Sequence, residues 1–357
     1  MISWKQAFVL VFLGCMMVAL TYIPTNESGS KNADKIISIS IMMIIAVIAF
    51  LPMYFLTKRN EGCNLIDCFS KNVPAMTKPA AVVYMLAFSY AIAVTVSRFS
   101  LFITSVLLIE SKSIVFILII IAAACYAAYL GIEAVARTSI FVFGVLIVSM
   151  AIVGLMQIDE VNVINLRPFF YDGVGPVFSG ALNDASKVIE IAALGMIANK
   201  VVGGIKKSII TFVITFWIVV SLLTFFMASI LGEYSTVQTF PIYTMISLAK
   251  VGTFRRFDAI LTGVWIVGDF IKVAFLIIVL SDCMKYVFKG KAFKAAISID
   301  IALIFAAAVF ASSSIKRYFS FSNYLAIGIT AGCVNFLIPL VFLIIDIIKK
   351  RKAARTV

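Results

Sequence analysis

Histidine is absent from all 357 residues, which removes the commonest general base and the commonest zinc ligand. The cysteines, at positions 15, 63, 68, 125, 283 and 333, include no CxxC pair, so they read as free thiols rather than a metal or redox motif. Charge is scarce too: 13% of residues are charged and 63% are apolar, whereas a soluble domain carries about 25% charged. No P-loop, no GxSxG and no paired metal-ligand motif occurs. The expectation is a protein that is not an enzyme, with no catalytic residues, no cofactor and no metal.

What the sequence has instead is apolar runs of membrane-spanning length. A bilayer core needs about 20 apolar residues per helix. Candidate spans fall at 4–23, 36–56, 79–108, 114–132, 138–157, 178–198, 208–231, 254–284, 295–311 and 321–348, about ten helices in an all-α transmembrane fold. The chain reads as a single integral membrane domain over 1–357, with halves at about 1–157 and 178–348 and a basic tail at 349–357. The stretch Phe12-Leu13-Gly14-Cys15 resembles a lipoprotein cleavage site, but the apolar run continues past Cys15, so the segment is taken as the first span.

The formal charge of +13 would suit nucleic acid if the bases formed one surface. They fall instead in short clusters between spans, such as Lys285 to Lys294 and Lys349 to Arg355. That is the signature of topology, so the expected partner is a lipid bilayer and not nucleic acid. With the N-terminus inside, the inward segments hold twice as many Lys and Arg as the outward ones, which places both termini in the cytoplasm. Thr239-Phe240-Pro241 opens an amphipathic stretch running to Lys250, read as a short interfacial helix.

Two features point to a small-molecule site. Helices 1 and 6, the openers of the two five-helix halves, carry small-residue interruptions at Gly14-Cys15 and from Ser179-Gly180 through Asp184, and paired interrupted helices mark transporter-type sites. Glycine also serves close helix packing, and at Gly14 the two readings weigh equally. The second feature is charge within spans: Arg98 in helix 3; Asp184, Lys187 and Glu190 in helix 6; Asp269 and Lys272 in helix 8. Each would cost about 2.5–3.5 kcal/mol facing lipid, so the six must face inward and find partners. The i,i+3 steps among Asp184, Lys187 and Glu190, and between Asp269 and Lys272, allow local pairing, either as a structural network or as a ligand or proton site. Asp282, Asp300 and Asp346 lie near helix ends beside lysines and read as interfacial.

The stretches Gly131-Ile132-Glu133-Ala134-Val135-Ala136-Arg137, Asn165-Leu166-Arg167-Pro168, Phe240-Pro241, and Arg256-Phe257-Asp258-Ala259 leading to Trp265-Ile266-Val267-Gly268 and Lys272 form a recognisable set. They resemble the spore germination permease family, the B subunits of nutrient germinant receptors. The resemblance covers essentially the whole chain. It implies membership of the amino acid-polyamine-organocation superfamily and an inverted five-plus-five repeat with broken helices 1 and 6. Glu190 matches the glutamate of a Phe-Gly-Glu element in that family, while Val188-Ile189 replaces the aromatic and the glycine.

The resemblance also implies function: binding of a small nutrient germinant, an amino acid being the expected class, in the spore inner membrane, with a receptor A subunit and a lipoprotein C subunit as partners. A proton-coupled amino acid transporter is the alternative, and a purely structural membrane scaffold is a third class. The expected ligand-binding residues are Gly14, Cys15, Ser97, Arg98, Asn183, Ser186, Glu190 and Lys272, with Asp184, Lys187 and Asp269 as an intramembrane charge network. Small residues at 14 and 15 leave room for the ligand, and backbone groups freed in broken helices would hold a zwitterion.

Overall fold

The computed structural model describes residues 1–21, 34–60, 62–249 and 258–353. The end of the first expected span at 22–23, Lys250, the start of the eighth span at 254–257 with Arg256 and Phe257, and the tail beyond 353 lie outside the described residues.

A two-residue strand β1 (Ile2–Ser3) leads into α1 (Trp4–Leu20), where Ser3 and Gln6 cap the helix reciprocally. The first half continues with α2 (Asp34–Arg59), the short α3 (Leu65–Asn72), α4 (Pro74–Phe102) running into a π turn at Ile103–Leu107, α5 (Ser113–Leu130) and α6 (Ile132–Met156). The sixth crossing is a broken pair, α7 (Gly175–Ser186) and α8 (Glu190–Met196), followed by β2 (Val201–Val202) and α9 (Lys206–Leu231). Two short helices, α10 (Tyr234–Val237) and α11 (Pro241–Ser247), precede α12 (Asp258–Val287) and α13 (Gly290–Ser312). The last crossing is assembled from α14 (Ile315–Phe321), α15 (Tyr324–Gly332), a π turn at Cys333–Leu337 and α16 (Ile338–Ala353).

Among the described residues eight helical segments are long and apolar enough to cross a membrane. With the 17 residues of α1 and the broken α7–α8 pair, they account for the ten expected crossings. Strand pairing checks this count. β1 and β2 run parallel, Ile2 opposite Val201, which requires an even number of crossings between them, and there are six. A chain of contacts from β1 to β2, from Lys200 to Asp282, from Tyr286 to Asp67 and from Lys349 to the carbonyl of Asn72 gathers both ends of the described chain at one end of the bundle.

α1 is apolar all round and buried along most of its length, which is how a helix at the centre of a bundle reads. It packs against α12, α9, α6 and α8. The interruption expected at Gly14-Cys15 is not there: α1 runs unbroken from Trp4 to Leu20. The glycine serves close approach instead, because a Cβ at position 14 would lie 2.7 Å from Cγ of Glu190. In helix 6 the break is real but falls later than Ser179–Asp184, at residues 187–189.

One smaller expectation also changes. The helix opened by Pro241 exists, but its apolar residues Ile242, Met245 and Ile246 are buried against protein rather than laid on lipid. Asp346 lies near the end of α16 beside Lys350 and is covered by protein there, and Arg59 Nε donates to it at 2.7 Å, pinning α2 to α16.

Candidate functional site

The break in helix 6 frees backbone groups that must be satisfied at membrane depth. An amide side chain does this. Asn335, in the π turn before α16, donates to the carbonyl of Val188 at 2.7 Å and accepts from the amide of Ala192 at 2.9 Å. It was not among the residues singled out from the sequence, although an amide inside an apolar run needs buried partners and was a usable signal. Asn335→Leu is expected to strand both groups and cost about 1–3 kcal/mol of stability, read as a lowered melting temperature of the detergent-solubilised protein. An unaltered melting temperature would show that the break holds without it.

Beside the break, three helices meet at one ion pair. Glu190, the first residue of α8, lies 2.6 Å from Nζ of Lys272 in α12, with both side chains almost completely buried. The same ammonium donates to the carbonyl of Gly14 in α1 at 2.9 Å, and the thiol of Cys15 donates to the other Glu190 oxygen at 3.5 Å. Gly14 thus has its carbonyl on Lys272 and its bare Cα against Glu190.

A second cluster lies on the other side of the break. Asp184 holds Lys35 at 2.7 Å and Lys187 at 3.2 Å. Lys35 stands directly before the span expected at 36–56, where a lysine could reach water. Its long side chain instead turns into the protein and is buried.

Between these clusters lies a cavity of about 670 Å³, within the range of small-molecule sites. Of the expected ligand residues, Cys15, Arg98, Asn183, Ser186 and Lys272 line it. Gly14, Ser97 and Glu190 do not. Gly14 and Glu190 lie behind Lys272, and the Ser97 hydroxyl is turned back onto the carbonyl of Ala93. Asp184 and Lys187 of the expected charge network are also on the cavity wall, whereas Asp269 is buried behind it, with Arg98 and Lys272 the cations whose charge acts on it. Lys35 and Tyr90 are wall residues that the sequence reading did not select. Among the described residues no group of His, Cys, Asp and Glu is placed to hold a metal.

The same architecture occurs in solved transporters. One is a Na+-coupled sialic acid symporter in a substrate-bound, outward-open state, with a TM-score of 0.64, 13% identity, and 94% of this chain matched to 77% of that one. Another is MhsT in complex with L-phenylalanine, with a TM-score of 0.60, 14% identity, and coverage of 96% and 98%. At such identities the likeness establishes the inverted-repeat transporter fold and nothing about ligand. No curated protein matches the chain by sequence. The spore germination protein family (Spore_permease) matches residues 1–320, and the chain belongs to that family.

Proposed function

We propose that this chain is the membrane subunit of a spore germinant receptor, which binds a small nutrient in the central cavity and passes the signal to A and C subunits in the spore inner membrane. The observation that carries the reading is the cavity itself. A scaffold for other proteins has no need of a cavity of about 670 Å³ walled by charged side chains beside a helix break. Family membership supplies the setting, spore germination. Spores lacking the chain are expected to lose the response to one nutrient class and to regain it on complementation. The purified chain alone, in sealed vesicles, is expected not to accumulate radiolabelled amino acids.

The transporter fold keeps one second reading in play, a proton-coupled amino acid transporter in which Glu190 or Lys272 changes protonation during the cycle. Uptake by the chain alone, driven by an imposed proton gradient, would select that reading over the receptor.

The orientation proposed with this function puts both termini in the cytoplasm. The native thiols of the 63–68 segment are poor reporters, because Cys63 and Cys68 are buried and burial pushes the Cys68 thiol up to about 12. Exposed Lys71 on α3 lies at the same end as the termini. A Lys71→Cys variant is therefore expected to react with an impermeant maleimide only after right-side-out vesicles are opened. Labelling of intact vesicles at position 71 would reverse the orientation.

A further inference from the structure

The geometry points to Arg98 as the anchor for a carboxylate on the ligand, so that the cavity takes a small carboxylic acid or amino acid and not a sugar, a nucleoside or an amine. This rests on the reading of the cavity as a ligand site and names the class of compound that it accepts.

Arg98 is 6% exposed and lines the cavity, yet among the described residues it makes no hydrogen bond and no ion pair. A buried guanidinium with its donor fork free is costly unless a bound anion completes it, and the planar fork suits two carboxylate oxygens. The other charges of the site are committed to one another. Lys272 holds Glu190, and Asp184 holds both Lys35 and Lys187. Asp269 acts on Arg98 through space, but neither of its oxygens receives a hydrogen bond, so it offsets charge without occupying the fork.

Counting the whole set gives four bases, Lys35, Arg98, Lys187 and Lys272, against three acids, Asp184, Glu190 and Asp269, all in contact with the cavity or directly behind it. One positive charge is left over across the set, so the cavity wall as a whole favours an anion, and among the described residues Arg98 is the base there whose donors are not already taken. The backbone offers no competing anion site on α1, because that helix is unbroken at positions 14 and 15 and its N–H groups there stay within the helix.

The test is a thermal-shift screen of the purified full-length protein against amino acids, organic acids, sugars, nucleosides and amines. Every compound that stabilises it is expected to carry a carboxylate, and the matching amide, such as L-alaninamide for L-alanine, is expected to bind at least tenfold more weakly. Arg98→Gln should lose the same factor. Because that variant removes the larger of the two cationic influences on Asp269, Arg98→Gln with Asp269→Asn serves as the charge-balanced control, expected to fold and still not to bind, while Arg98→Lys retains part of the affinity. Stabilisation by a sugar, nucleoside or amine, or unaltered carboxylate binding in the folded double variant, would overturn Arg98 as anchor while leaving the cavity as a ligand site. Failure of every compound class to stabilise the wild-type protein would instead defeat the ligand-site reading and this inference with it.

Discussion

Replacing Lys272 by Met is expected to remove most of the protein from the membrane fraction and to lower the melting temperature of what remains. The substitution leaves Glu190 fully buried with its paired cation gone, and it also removes the side-chain donor to the Gly14 carbonyl. Breaking a buried pair from one side costs about 3–5 kcal/mol, a large part of the roughly 5–15 kcal/mol that holds a typical protein together. Glu190→Gln is expected to be milder, since the amide keeps the shape and can still accept from the ammonium. Removing both charges, with Lys272→Met and Glu190→Leu together, should recover most of the amount lost in the single variant, because an apolar pair of similar volume does not need a counter-charge. Immunoblots of membrane fractions and melting curves in detergent measure this. Wild-type levels and melting temperature for Lys272→Met alone would show that the pair is not holding the three helices together.

A Gly14→Phe substitution is expected to be as damaging. The sequence suggested that a bulky residue here would only fill ligand space, but the structure gives another outcome. Even a Cβ would stand 2.7 Å from Cγ and 3.1 Å from Oε1 of Glu190, and that carboxylate is already fixed by Lys272 and Cys15. A phenyl ring must push α8 from α1 and part the ion pair, for a combined cost above about 3 kcal/mol. Gly14→Ala should show a weaker effect of the same sign. The same exchange to Phe at Gly144 in α6, where nothing lies within 4 Å of the added Cβ, is expected to be tolerated. If Gly14→Phe accumulates and melts like the wild type, the tight approach of α1 and α8 is not a feature of the folded protein.

These two cases show what could be read before the structure was known. Charges inside apolar runs were legible because lipid would penalise each of them, and Arg98, Asp184, Lys187 and Lys272 do meet around one cavity. Glycine was ambiguous in the sequence, since both an unwound helix and a tight crossing require the missing side chain. At position 14 the tight crossing prevailed. The break in helix 6 was legible as existing but not in position: Gly180 is simply buried within α7, and the break sits where Asn335, far along the chain, can satisfy the freed backbone. Lys35 was not selected for a related reason. A lysine at the head of a span reads as an anchor to the outside unless the acid that draws it inward is known to lie beside it.

The bond between Lys272 and the Gly14 carbonyl joins residues 258 positions apart, and this bears on how the protein is made. At about 5–20 residues per second, translation takes roughly 13–50 s to pass from one to the other. Through that interval the first helix is in the membrane while its eventual neighbour α12 has not been synthesised. Its 17 residues after Ser3 carry a single formal charge, on Lys5 at the very start, so lipid can hold it during the delay. Ribosomes halted before position 272 would leave Glu190 in the bilayer without its cation, exposed to the quality-control proteases that recognise unassembled spans. Of the three helices that meet at this ion pair, α12 is the last to be made.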